Sequence, residues 1–162
     1  MTCAAPAFEA KLCPPAGLAE RLAALPRPLV FTNGCFDILH RGHTTYLAQA
    51  RALGASLLVA VNSDASVRRL GKGDERPLNG LEDRMAVLAA LESISLVTWC
   101  DEDTPFELIR TVRPEVLVKG GDWPIERIVG ADLVLTGGGR VVSIPFRHER
   151  PTSALLAKIR SL

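Results

Sequence analysis

The feature that most constrains the fold is a regular alternation, along 162 residues, of short apolar runs with stretches of helical periodicity. The apolar runs predict five strands, at 28–33, 56–61, 95–100, 115–119 and 140–145. Helical patterns lie between and after them, at 43–53, 64–70, 81–91, 105–112, 124–135 and 153–160. Strand–helix alternation of this kind predicts an α/β protein with an open parallel five-stranded sheet, helices on both faces and a single domain.

Local signals refine this outline. Residues 1–27 are expected to form a loose N-terminal arm with a short helix, and residues 28–162 the domain itself. The polar, Gly- and Pro-containing stretch 71–80 breaks both periodicities and predicts a mobile surface loop. Thr104 is the predicted cap of the helix at 105–112, with Pro105 in its first turn.

Composition excludes several classes of partner. The chain has 19 basic and 18 acidic side chains and no Lys/Arg-rich run, so no nucleic-acid partner is expected. Its apolar stretches have strand length and no leader pattern precedes them, so no membrane segment or signal peptide is expected. The four widely spaced cysteines favour neither a zinc site nor a disulfide framework and suit the cytoplasm.

Polar and glycine residues gather where the predicted strands end. The sequence GCFDILHRGH follows the first strand, NSD the second, KGGDW the fourth and RHERPTS the fifth. The carboxyl ends of parallel strands meet at one edge of a sheet, and ligands of such sheets bind there. The clustering therefore predicts an anion-binding active site at that edge.

The most informative element is the run His40-Arg41-Gly42-His43. Gly42 permits a tight turn into the helix, and His43 lies in the first turn, where N–H groups and the helix dipole favour a phosphate. Two imidazoles there can donate hydrogen bonds to a triphosphate and to the charge that develops as a phosphate leaves. Two alternatives are a chance pair of histidines and a metal pair, although the latter lacks a third ligand at a recognisable spacing.

The stretch GCFDILHRGH resembles the G-x-F-D-x-x-H-x-G-H signature of the cytidylyltransferase-like nucleotidyltransferase superfamily. Three further stretches, RPLNGLEDRMAVLAALESI, DEDTPFELIRTVRPEVLVKGGDW and RVVSIPF, are similar to those of the members that make ADP-heptose. The resemblance implies a Rossmann-like nucleotidyltransferase domain at 28–162. It implies transfer of AMP from ATP to D-glycero-β-D-manno-heptose 1-phosphate, with Mg2+ carried by ATP. It also implies a homo-oligomer, with a dimer favoured.

The resemblance also implies roles for individual residues. The residues implied as catalytic are His40, His43, Lys72 and Arg84. Nucleotide contacts are implied for Thr32, Asn33, Gly34, Cys35, Phe36, Gly42, Lys119, Gly120, Asp122, Thr152 and Ser153. Contacts to the acceptor are implied for Asp37, which also shapes the loop, and for Asn62, Asp64 and Trp123. One departure is Pro151-Thr152-Ser153, where the family usually has Ser-Thr-Thr, because Pro151 has neither a hydroxyl nor an N–H.

The acceptor of such a reaction already carries an ionised phosphate, so no general base is required. No Ser/His/Asp or paired-carboxylate constellation is evident, which agrees with this chemistry. Two other functions stay open: a cytidylyltransferase acting on glycerol 3-phosphate or ethanolamine phosphate, and a nucleotide-binding regulatory module without catalysis. Individual residues also have plainer interpretations, such as Arg84 pairing with Asp83 or Glu82 on a solvated helix face.

Overall fold

The computed structural model describes residues 4–71, 75–148 and 152–161. In this part of the chain the sheet has five parallel strands in the order β3-β2-β1-β4-β5. The strands are β1 (Leu29–Gly34), β2 (Ser56–Asn62), β3 (Leu96–Cys100), β4 (Val116–Gly120) and β5 (Arg140–Ile144). The α-helices are α1 (Leu18–Ala23), α2 (Arg41–Arg51), α3 (Asp64–Arg69), α4 (Leu81–Ala89), α5 (Phe106–Val112), α6 (Ala131–Thr136) and α7 (Thr152–Arg160). The predicted open parallel sheet is confirmed.

The central strands are apolar on both faces because helices cover both sides. In β1 the side chain of Val30 enters one core and that of Phe31 the other. Helices α2 and α4 cover the first face, with Leu47 and Leu88 fully buried there. Helices α1, α5 and α6 cover the second face. None of the described helices has the length and apolar composition needed to cross a membrane.

The N-terminal segment is packed rather than loose, so that expectation is wrong. Leu12 forms a parallel bridge with Val97 of β3, and the Cys13 N–H donates to the Val97 carbonyl at 2.9 Å. Cys13 is buried against the second core, together with Leu18 and Leu22, which lie four residues apart on one face of the helix that follows. The short helix expected here is α1.

Two local expectations also fail. Thr104 does not cap α5: Pro105 occupies the N-cap position and no side chain supplies a cap hydrogen bond. The predicted helix 124–135 is divided into a 3-10 turn, Ile125–Arg127, and α6. Gly130, with φ of 82°, separates them, because a left-handed residue cannot continue a right-handed helix.

The strand order places the change of connection direction at β1. β1 pairs with β2 on one side and with β4 on the other, so a crevice is expected between the carboxyl ends of β1 and β4. The polar residues that follow these two strands define the site described next.

Candidate active site

The turn into α2 is built by His40 and Gly42. His40 is the N-cap residue of α2, and its Nδ1 accepts the Gly42 N–H at 3.1 Å. This bond places the imidazole proton of a neutral His40 on Nε2. Gly42 is buried, and a side chain there would meet the His148 carbonyl oxygen and the His40 ring. The sequence therefore needs glycine at this turn.

His43 lies in the first turn of α2, with its ring centroid 4.0 Å from that of His40. It contacts Phe36 and Phe146 edge-on, at centroid distances of 5.6 and 6.0 Å. Burial, reinforced by neighbouring His40, lowers the pKa of His43 from 6.5 to about 4. Its buried Nδ1 has no hydrogen-bond partner among the described residues. A neutral imidazole with an unsatisfied ring nitrogen is suited to a ligand contact.

The carboxyl ends of β1 and β4 are joined by side-chain hydrogen bonds. The Lys119 ammonium donates to Asn33 Oδ1 at 3.2 Å. On the other face of β1, buried Thr32 shares a hydrogen bond with the Tyr46 hydroxyl, which also bonds the backbone of Gly120. Burial raises the pKa of Tyr46, so its hydroxyl stays protonated. Thr32 is therefore engaged within the protein, whereas Asn33 and Lys119 lie at the crevice.

The histidine cavity, as we call it, has a volume of about 260 Å3 and opens over this crevice. It brings together most of the residues predicted for nucleotide binding. It is lined by Asn33, Gly34, Cys35, Phe36, His43, Tyr46, Lys119, Gly120, Trp123 and Phe146.

The loop after β4 holds Trp123 in a fixed position. The Trp123 N–H donates to Ser143 Oγ at 3.0 Å, and Ser143 Oγ donates to the Gly121 carbonyl at 2.7 Å. The indole Nε1 donates to the Gly120 carbonyl at 3.2 Å. Gly121 has φ of 113°, a conformation that favours glycine. Trp123 is nevertheless 48% exposed, so it is fixed by hydrogen bonds rather than by burial.

A second, smaller cavity of about 160 Å3, here called the Arg127 cavity, shares a wall with the first. Asn33, Lys119 and Trp123 line both cavities. The remaining walls of the smaller one come from Pro105, Leu117, Arg127, Ile128 and Val129.

Arg84 is buried, with 2% of its surface exposed, rather than lying on a solvated helix face. Its guanidinium donates to the carbonyls of Cys35, Asn62 and Asn79 at 2.5, 2.8 and 3.0 Å. It also forms an ion pair with Asp64 at 2.8 Å. Four donated hydrogen bonds use most of the five N–H groups of a guanidinium. The arrangement favours a positioning role for Arg84 over direct contact with a triphosphate.

The acidic and amide side chains predicted for the acceptor have partners within the chain. Buried Asp37 accepts the N–H groups of Leu78 and Asn79 and pairs with Arg76 at 2.6 Å, which anchors the segment before α4. The Asn62 amide donates to Ser66 Oγ at 3.0 Å, while Asp64 pairs with Arg84. The loop-shaping role of Asp37 agrees with these contacts. Acceptor contacts by Asp37, Asn62 and Asp64 stay predictions.

Several predicted residues are not placed at the cavities. Lys72 lies outside the described residues. Thr152 and Ser153 begin α7, and their side chains also lie outside the described part of the chain. Asp122 is exposed and lines neither of the two cavities. Roles for these four residues stay predictions.

Sequence reasoning missed four residues of the site: Tyr46, Arg127, Ser143 and Phe146. Tyr46 and Phe146 contact each other edge-on, and both line the histidine cavity. Both read as ordinary core residues in the sequence. The signal that could have found Phe146 is its position directly after the last strand, at the same edge as the other strand ends.

The described residues contain no group of three or more His, Cys, Asp or Glu side chains that could hold a metal ion. The nitrogen donors that line the histidine cavity include the Lys119 ammonium, the His43 imidazole and the Asn33 amide. These groups suit phosphate oxygens, and a divalent cation fits here as a companion of the phosphates.

The open parallel sheet carries at its switch point a glycine turn, two imidazoles at a helix start and a lysine. This arrangement is typical of nucleotide-binding proteins of the α/β class. Residues 31–143 match the family described as Cytidylyltransferase-like. The chain belongs to that family.

Two relatives within this family are more than half identical to the chain. A D-beta-D-heptose 1-phosphate adenylyltransferase of Bordetella bronchiseptica is 59% identical over 155 residues, which cover 94% of this chain and 96% of that protein. The bifunctional protein HldE of a Marinomonas species is 58% identical over 130 residues. That match covers 80% of this chain but 27% of HldE, so the chain corresponds to about a quarter of the bifunctional relative.

Solved structures agree with this placement. The lipopolysaccharide core biosynthesis protein of Thermoplasma volcanium has a TM-score of 0.60 and 26% identity, over 75% of this chain and 98% of its own. Pantothenate synthetase of Thermus thermophilus, at 19% identity and a TM-score of 0.59, covers 88% of this chain and 69% of its own and shares the fold.

Proposed function

We propose that the protein transfers AMP from ATP to D-glycero-β-D-manno-heptose 1-phosphate, giving ADP-heptose and pyrophosphate for lipopolysaccharide core precursors. The observation that carries the proposal is the 59% identity to a heptose 1-phosphate adenylyltransferase along nearly the full length of both chains. The paired imidazoles at the start of α2 support it, because they supply donors where a triphosphate must bind.

The proposed reaction exchanges one phosphorus–oxygen bond for another. An anionic oxygen of the sugar phosphate attacks the α-phosphorus of ATP and forms the new bond. The bond from the α-phosphorus to the α,β-bridging oxygen breaks, and its electron pair leaves with pyrophosphate. Since the nucleophile is already ionised, the protein needs to align the reactants and to stabilise the leaving charge.

The residues divide this work between them. His43, neutral at pH 7 because of its lowered pKa, donates a ring N–H to the departing phosphates without the cost of burying a charge. Lys119, at the wall between the cavities, stabilises the α-phosphate. His40 caps α2 and keeps the N-terminal N–H groups of that helix directed at the phosphates. Arg84 positions the Cys35 loop from beneath.

Three finer proposals accompany the reaction. Mg2+ enters with the triphosphate and neutralises part of its charge. The protein works in the cytoplasm, an assignment supported by Cys13 and Cys100, which form no disulfide among the described residues. It forms a homodimer, which sedimentation equilibrium tests directly.

Pyrophosphate release tests the function. The purified protein is incubated with Mg2+, heptose 1-phosphate and each of ATP, CTP, GTP and UTP in turn. We expect release with ATP that depends on the sugar phosphate. Release with CTP would identify a cytidylyltransferase. Release with glycerol 3-phosphate in place of the sugar phosphate would identify a different acceptor. Nucleotide binding without release from any pair would identify a regulatory module.

His43→Ala tests the site. We expect turnover to fall about 100-fold or more, the scale of one lost transition-state donor. Thr44→Ala is the matched control, since Thr44 is exposed on the same helix and lines neither cavity. Near-normal turnover by a folded His43→Ala protein would show that the phosphates bind elsewhere.

A further inference from the structure

The two cavities meet at one cation. The Lys119 ammonium bonds Asn33 Oδ1, and these two residues with Trp123 form the common wall. His43 lines the histidine cavity only, and Arg127 lines the smaller cavity only. A reactant on each side of Lys119 would therefore have its own set of donors.

In-line displacement decides which reactant lies where. The attacking and departing oxygens must lie on opposite sides of the α-phosphorus. With the departing pyrophosphate at His43 and the α-phosphate at Lys119, the attacking oxygen has to come from the side away from His43. The smaller cavity adjoins the shared wall at Lys119 without including His43.

The charged side chains of the smaller cavity also favour the sugar phosphate as its occupant. The smaller cavity has two cationic side chains, Lys119 and Arg127, among otherwise mainly apolar walls. The Arg127 guanidinium has no ion-pair partner among the described residues. An adenine ring is neutral and gains little from two cations, whereas a sugar phosphate carries negative charge and hydroxyl acceptors.

We propose that the Arg127 cavity is the subsite for the sugar phosphate acceptor and that Arg127 binds the acceptor there. The inference rests on the proposed adenylyl transfer and adds to it a site and a specificity-determining residue. The half-exposed Trp123 ring, fixed by its bonds to Ser143 and Gly120, offers an apolar wall for the carbon–hydrogen face of the sugar. Arg127 supplies a planar fork for its oxygens.

Arg127→Gln tests this assignment because it removes the charge and keeps most of the side-chain length. We expect KM for heptose 1-phosphate to rise about ten-fold or more, the loss of one hydrogen bond from a charged donor. KM for ATP should stay within about two-fold. Arg110→Gln is the matched control, since Arg110 lies on α5 and lines a different cavity, formed with Glu115 and Gly137–Gly139.

A binding measurement separates the subsite from the reaction. Heptose 1-phosphate is titrated calorimetrically into protein saturated with Mg2+ and α,β-methylene ATP, which cannot transfer AMP. Weaker binding in Arg127→Gln than in Arg110→Gln supports the subsite whether or not the wild type turns over, and absent wild-type turnover would refute only the proposed function. Equal binding in both variants, or an effect of Arg127→Gln on KM for ATP alone, would overturn the subsite.

Discussion

Replacement of Arg84 by lysine should destabilise the protein far more than a change between two cations suggests. The Arg84 guanidinium donates hydrogen bonds to the Cys35, Asn62 and Asn79 carbonyls and to the Asp64 carboxylate. A lysine ammonium is a single point at the end of a flexible chain and cannot reach acceptors on three different segments at once. At least two of these acceptors should lose their partner.

The size of the effect follows from those contacts. Each lost hydrogen bond to a buried acceptor costs about 1–1.5 kcal/mol, so we expect the free energy of unfolding to fall by about 2–3 kcal/mol. With a urea m-value of about 2 kcal/mol/M, the unfolding midpoint should move down by about 1–1.5 M. Urea titration followed by circular dichroism measures this shift.

Arg69→Lys is the matched control. Arg69 also pairs with carboxylates, Asp101 and Asp103, but its side chain is 44% exposed. Exposed ion pairs contribute little, so the midpoint of this variant should equal that of the wild type within error. An Arg84→Lys midpoint equally close to that of the wild type would show that the Arg84 hydrogen bonds do not stabilise the segments around the site.

Two further predictions concern His43 and Ser143. The folded-state pKa of His43, about 4, lies below its unfolded value of 6.5, so the unfolding free energy should fall as pH drops from 6.5 towards 4. Urea titrations measure the unfolding free energy of the wild type and of His43→Asn at each pH. Between pH 6.5 and 4 that free energy should fall by about 1–2 kcal/mol more in the wild type than in the variant, after allowance for partial exposure of the ring. An equal fall in both proteins would contradict a lowered pKa for His43. Ser143→Ala should increase the mobility of the Trp123 loop, and acrylamide quenching of Trp123 fluorescence in a Trp99→Phe background detects this change. KM for the acceptor should rise about five-fold with kcat little changed. Unaltered quenching would show that Ser143 does not hold the loop.

The sheet was predictable because its signals are local. The runs that became β1 and β2 contain the continuous apolar stretches 29–31 and 57–61, and the glycine at position 54 ends the helix pattern between them. The prediction failed where the outcome depended on distant contacts. The N-terminal segment looks like a loose arm until β3 supplies a partner for Leu12.

The sequence predicted the location of the candidate site better than the hydrogen bonds and ion pairs within it. The residues around His43, Asn33 and Lys119 gather as expected, because strand ends of a parallel sheet share one edge. Arg84 is different, since a charged residue on a helix suggests solvent, and only acceptors from three remote segments explain its burial. The Arg127 cavity escaped detection because residues 124–135 appeared to form one helix.

The bridge between Leu12 and Val97 has a consequence for association between copies of the sheet. β3 is an outer strand, and outer strands present unpaired N–H and C=O groups that can recruit strands of other molecules. The Cys13 N–H already occupies the Val97 carbonyl, so the N-terminal segment shields part of that margin. A strand of another molecule that adds at the β3 edge would therefore first have to displace the N-terminal segment from Val97.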